Sequence, residues 1–201
     1  TTFDPDDSQP WDFSVKAKRE KVLKMTRAQK PLFVIGSPPC TRWCTWQYIN
    51  DVKRDPEAVA LEQKRAEVHL KFATQVYREQ IEGGRFFLHA HPDHARSWDD
   101  RCISELLEIE GVSRVSANQG QHGQQVMSGP LGGQPVKKPT GFMRNAPRLL
   151  ESLMKRCQGR GGQCSRPAGG KHVQASGRVA SDAARYPAGS CRAITHGMVN
   201  E

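Results

Sequence analysis

Residues 30–50 read KPLFVIGSPPCTRWCTWQYIN, and the fold turns on how this stretch is taken. Four apolar residues, Leu32 to Ile35, are bounded by turn formers and predict a short buried strand. Gly36-Ser37-Pro38-Pro39 then stops that strand, because neither proline can donate a ladder hydrogen bond. Cys40 follows directly. A reactive side chain at the carboxyl end of a buried strand is where open α/β sheets place their chemistry.

Working outward, residues 1–12 are rich in aspartate and proline and predict a loop. Ser14 is placed to cap a helix from about Val15 to Gln29. Downstream, Asp55-Pro56-Glu57 is a helix start, with a capping carboxylate and proline at the first helical position; Gly83-Gly84 ends that helix after Glu82. Phe86 to Leu88 predicts a second strand, running into His89-Ala90-His91-Pro92. Val112 to Ala117 predicts a third, closed by Asn118, and Thr140 to Met143 a fourth and weaker one before a last helix from Pro147 to Cys157. This alternation predicts an α/β domain over residues 1–157, a partial Rossmann-like, mostly parallel sheet flanked by helices. From residue 158 glycine, serine, alanine and arginine dominate, so 158–201 is expected to be an irregular basic segment with a short helix near Cys191 to Met198.

The length of 201 residues allows one domain with a real core. No run approaches the ~18 apolar residues that a membrane-spanning helix needs, and no secretory signal pattern is present. The chain opens on Thr1 rather than methionine and reads as a piece of a longer polypeptide. Six scattered cysteines form no dense disulfide framework, so an intracellular, reducing setting is expected, the nucleus included. The sequence says nothing of oligomeric state.

Charge is unevenly placed. Residues 1–136 carry 18 lysines and arginines against 18 acids, whereas residues 137–201 carry 12 against three, which accounts for the whole net charge of +9. Such a segment suits a polyanion, DNA above all, with Arg42, Lys137, Lys138, Arg144, Arg148 and Arg160 as candidate phosphate contacts. Trp43, Trp46 and Tyr48 offer rings for base stacking, or for packing beneath the cysteine loop. Cys157, Cys164 and His172 are separated by six and seven residues, outside the usual two to four of a zinc pair, so zinc on these three is the less favoured of two open readings. The expectation is unpaired cysteines in a flexible basic tail.

Gly36-Ser37-Pro38-Pro39-Cys40 behind a strand, with Gln47 and Asn50 after it, resembles the nucleophile loop of DNA (cytosine-5) methyltransferases. The likeness is closer to a divergent group within retroelement-type polyproteins. It extends over Pro10-Trp11-Asp12-Phe13-Ser14, Thr41, Phe87-Leu88-His89, His91-Pro92, Ser97-Trp98, Lys138-Pro139-Thr140-Gly141-Phe142-Met143 and Asn145. The resemblance implies a class I methyltransferase-like fold, DNA as partner and S-adenosylmethionine as methyl donor. It makes Cys40, held by the turn of Ser37 and Pro39, the nucleophile that attacks carbon 6 of a flipped cytosine. An ordinary thiol is mostly protonated at neutral pH, so that attack needs a proton acceptor or a lowered pKa.

The chain departs from the pattern at three places, one being Asn118-Gln119-Gly120, where relatives tend to carry Asp-Gln-Cys. Relatives carry His-Glu-His-Pro, whose glutamate holds the base; here Ala90 stands in its place, and His89 and His91 are the remaining acid–base groups. No glycine-rich cofactor loop precedes Cys40, which leaves Asp4, Pro38 and Asn118 as the positions to meet S-adenosylmethionine. The function implied is a degenerate or weak cytosine-5 methyltransferase-like domain of a retroelement polyprotein. The alternative is a non-catalytic nucleic-acid-binding module or a partly folded polyprotein fragment.

Overall fold

The computed structural model describes residues 4–201, which form two compact units: one runs to Phe87 and takes in Ala95–Ile109, and the other comprises Leu88–His94 and Glu110–Glu201. In the first, α1 (Lys16–Gln29) precedes β1 (Phe33–Gly36), α2 (Thr45–Asp51) and the long α3 (Pro56–Glu82), then the opening residues of β2 (Phe86–Pro92) and finally α4 (Arg101–Leu107). The cap of α3 is as predicted: the Asp55 carboxylate accepts from the amides of Glu57 and Ala58, and Pro56 occupies the first turn, where no amide is missed. Leu70, Val76 and Tyr77 line the buried face of α3, and Tyr77 stacks on Phe87 with ring centroids 4.6 Å apart. Leu70, Ile103 and Leu106 are fully enclosed, each contributing about 1.5–3 kcal/mol of apolar burial. The Gln80 amide donates to the carbonyls of Pro31 and Phe86, tying the strand ends of this unit to α3.

β1 is not the buried strand its apolar run predicts. Val34 packs on Leu23, Phe72 and Val76, and Phe33 stacks on Phe86, but Leu32 is 62% exposed and Ile35 51%. Only part of the strand is covered.

The second unit takes up most of a four-stranded sheet. β3 (Ser113–Asn118) leads through a 3-10 turn, Gln119–His122, and a glycine-rich loop to β4 (Val136–Lys137), which is followed at once by β5 (Pro139–Arg144). β5 lies between β2 and β3, antiparallel to β2 from Leu88↔Arg144 to Pro92↔Thr140 and antiparallel to β3 from Ser113↔Arg144 to Asn118↔Pro139. The fold is therefore α/β, as expected, but its pairings are mostly antiparallel. The physical reason is the connection. A parallel neighbour needs a crossover, usually a helix, and no helix lies between β3 and β5, so the chain turns back along β3. Thr140 to Met143, expected as a weaker strand, is buried throughout within β5, which is paired on both edges.

The remaining elements are α5 (Leu149–Leu153), β6 (Val173–Gln174), α6 (Gly177–Asp182) and α7 (Ala188–Asn200). β4 and β6 pair in parallel, and Val136 packs with Val126 and Ala183 against Val173 and Val179. Gly197 lets α7 approach α5 closely: a Cβ there would lie 2.8 Å from the Leu149 Cα. The Glu201 carboxylate accepts from the amides of Arg148 and Leu149 at the start of α5. Residues 158–201 thus carry the helix expected near Cys191 to Met198, here α7, together with a strand and a second helix where composition predicts irregular chain, and the 157/158 division lies inside the second unit.

Candidate functional site

The cysteine loop leaves β1 and enters a 3-10 turn, Thr41–Trp43, in which the Cys40 carbonyl accepts from the Trp43 amide at 3.0 Å. Ser37 and Pro39 are exposed, and Pro38 and Cys40 are half-buried. Gly36 is required at the strand end, since a Cβ there would come 1.9 Å from the Tyr77 hydroxyl oxygen. Arg42, expected to meet phosphate, is instead buried: its guanidinium donates to both carboxylate oxygens of Asp51, at 2.8 and 2.5 Å, and to Gln63 at 3.2 Å. A cavity of about 600 Å³ beside the turn is lined by Arg42, Trp43, Asp51, Gln63, Arg96 and Asp99 among others, and Cys40 is not among its lining residues. Trp43 is a core ring, Trp46 is 61% exposed, and the side chain of Tyr48 lies outside the described residues.

Cys40 belongs to the first unit; His89, His91 and Asn118 belong to the second. His89 and His91 are completely enclosed, with ring centroids 5.2 Å apart. Burial, reinforced by the neighbouring His91 and Arg114, pushes the His89 imidazole well below its ordinary value and keeps it neutral. Side chains alternate along a strand, so both rings leave β2 on the face opposite Ala90. Neither ring can therefore present a group where a glutamate at position 90 would present its carboxylate.

Two of the positions left for S-adenosylmethionine, Asp4 and Asn118, have their polar groups bonded within the fold. Asp4 is buried against the ammonium groups of Lys18, at 2.6 Å, and Lys21. Burial alone would raise its carboxyl; the hydrogen bonds from Lys18 and Lys21 outweigh it and hold the group far below the usual carboxylate range. The Asn118 side-chain carbonyl accepts from the Cys157 amide at 2.8 Å. The loop from Gly129 to Gly133 runs into the two-residue β4, not into a helix whose amides might cradle a phosphate. Asp4 and Asn118 thus spend their polar groups within the fold.

The other expected phosphate contacts divide by exposure. Lys137, Arg148 and Arg160 are exposed. Lys138 is half-buried, donating to the Ala183 carbonyl with its ammonium 5.8 Å from the centroid of the Tyr186 ring, and Arg144 is buried on β5.

The basic tail holds the tightest cluster of chemically active side chains among the described residues. Cys157, Cys164 and His172, disfavoured on spacing, converge: the two sulfurs lie 3.9 Å apart, and the Cys157 sulfur is 3.6 Å from His172 Nε2. The cysteines carry no disulfide, as expected, but Cys157 and Cys164 lie side by side in a stretch folded by turns. Glycine makes the turns. Gly161 and Gly162, at φ of +59° and +82°, and Gly169 and Gly170, at +59° and +100°, reverse the chain twice, and the Cys164 amide then donates to the Gly170 carbonyl at 2.8 Å. The Ser165 amide and hydroxyl donate to the Cys157 sulfur at 3.4 and 3.5 Å, and the Gln121 amide donates to the Cys164 sulfur at 3.3 Å. Burial pushes the Cys157 thiol up, but the Ser165 hydrogen bonds outweigh it and lower the thiol to about 7; burial raises the Cys164 thiol and lowers the His172 imidazole. All three line a cavity of about 200 Å³ with Asn118, Gln121 and Lys137.

A signal for this cluster exists in the sequence at a longer range than pair spacing. Gly161-Gly162-Gln163-Cys164 and Gly169-Gly170-Lys171-His172 repeat one pattern eight residues apart, a glycine pair two residues ahead of a metal-binding side chain. No family model matches the chain, and neither a curated protein nor a solved structure does.

Proposed function

We propose that this chain binds nucleic acid, DNA foremost, as a degenerate cytosine-5 methyltransferase-like module of a retroelement polyprotein that performs no methyl transfer. The observation that carries the reading is the charge of the second unit, 13 lysines and arginines against five acids, beside 17 against 16 in the first. Its cations at Lys137, Arg148, Arg156, Arg160, Lys171 and Arg178 are exposed, where phosphates can reach them. The non-catalytic half rests on Ala90, on the buried histidines facing away from it, and on the committed side chains of Asp4 and Asn118. The same proposal takes the β1, α3, β2 succession as the remnant of a Rossmann-like sheet, and it sets the site of action wherever the DNA is, the nucleus in a nucleated cell.

The test is fluorescence anisotropy of a labelled DNA duplex across a salt series. Four phosphate contacts predict about a hundredfold loss of affinity for a fourfold rise in salt. Affinity that ignores salt overturns the binding reading. A covalent adduct at Cys40 with a 5-fluorocytosine duplex and S-adenosylmethionine overturns the non-catalytic one.

A further inference from the structure

We infer that Cys157, Cys164 and His172 form a zinc site that ties the glycine-turned stretch carrying Cys164 and His172 to Cys157, which Asn118 holds at the end of β3. The distances carry the inference. Tetrahedral zinc, with sulfur at about 2.3 Å and nitrogen at about 2.0–2.1 Å, sets two sulfurs about 3.8 Å apart and a sulfur and nitrogen about 3.6 Å apart. The structure has 3.9 and 3.6 Å. Packing alone has no reason to bring three ligands from positions 157, 164 and 172 to these separations, and two sulfurs at 3.9 Å are not bonded to one another.

The surroundings are those of a metal's outer shell. Asn118 fixes the backbone of Cys157 through its amide, Ser165 donates two hydrogen bonds to the Cys157 sulfur, and Gln121 donates one to Cys164. Donors aimed at sulfur stabilise thiolates and orient them. Soft thiolates with one imidazole select zinc over magnesium or calcium. Binding replaces two thiol protons with one Zn²⁺, leaving a neutral complex of two thiolates, one neutral imidazole and the dication. The two protons pass to solvent, and no oxidant or reductant is needed. Three protein ligands leave the fourth corner to water, which the adjoining cavity has room to hold.

The experiment uses the full chain, purified under reducing conditions and loaded with zinc, with metal counted by mass spectrometry after desalting. The parent is expected to retain about one zinc per chain, and Cys157→Ser, Cys164→Ser and His172→Ala to fall below about a tenth of that, while Cys191→Ser and Cys40→Ser keep it. Asn118→Ala, which spares the ligands, is expected to weaken zinc about tenfold or more. Because a ligand variant can fail by misfolding, the parent is also titrated with Co²⁺, where tetrahedral visible bands with a thiolate charge-transfer band support the site. An octahedral cobalt spectrum, no retained zinc in a folded parent, or a native Cys157–Cys164 disulfide found by mapping in the reduced preparation overturns it.

Discussion

In the first unit a single thiol, Cys40, follows a Pro-Pro stop at the end of β1; in the second, two thiols and an imidazole reach one point from positions 157, 164 and 172. The first loop is conspicuous as a string of residues. On the proposed reading its chemistry would need company from elsewhere in the chain, and at position 90 that company is an alanine. The second loop is inconspicuous as a string, but its partners come from within sixteen residues by way of two glycine turns. A contiguous motif shows where a nucleophile belongs. Whether it can act is decided by groups that the motif does not contain.

The sharpest way to break this contrast is to count thiols that react with an alkylating reagent, with and without zinc. Zinc is expected to slow Cys157 and Cys164 by at least about tenfold, because a metal-bound sulfur is no longer a free thiolate, and to leave Cys40 and Cys191 unchanged. Protection of Cys40 with exposure of Cys157 would reverse the assignment of the two loops. A second experiment tests the framework of the first loop. Gly36→Ala drives a methyl group into the Tyr77 ring, which is stacked on Phe87, and is expected to cost about 1–3 kcal/mol in urea unfolding. An unchanged midpoint would mean that the strand end is not held where the Cys40 turn requires it.

Legibility follows the same division. α3 was readable to the residue, since Asp55-Pro56 and Gly83 act through local backbone chemistry that the sequence states outright. Sheet direction was not readable, because the reversal at β5 depends on what lies between two strands and on which edge is vacant. Arg42 illustrates the limit for sites: nothing local says that its guanidinium will be spent on Asp51 nine residues on, so it looked like a free cation. His89 and His91 looked like accessible acid–base groups for the same reason; burial is a property of the packed unit. The thiol cluster was disfavoured because ligand spacing was counted and glycine turns were not.

Arg42 and Arg160 turn that limit into a smaller, measurable difference. Arg160→Ala is expected to flatten the salt dependence of DNA binding by about one unit of slope, and Arg42→Met to leave the slope unchanged while lowering stability, since Asp51 then keeps only its longer contact to Arg54 at 3.7 Å. Equal effects of the two substitutions on the slope would show that burial does not separate structural from nucleic-acid-binding arginines in this chain.

The subtlest contrast between the units is their response to alkali in the metal-free protein. The Cys157 thiol is held at about 7 by the Ser165 hydrogen bonds acting against burial, while burial, helped by Asp100, raises the Cys102 thiol to about 12; each would be 9.0 unperturbed. Between pH 7 and 9 the unfolded chain binds a proton at position 157 that the folded chain has released, so folding stability rises with pH and is lost again as pH falls through 7. Above pH 9 the relation inverts at position 102: the unfolded thiol has ionised and the folded one has not, so stability falls toward pH 12. Cys157 is half-exposed, and solvent screening keeps its effect small. Cys157→Ser is expected to remove the rise and keep the fall, and Cys102→Ala to remove the fall and keep the rise, as read from denaturation midpoints across pH. One substitution that abolished both slopes would show that the two thiols do not titrate within separate units.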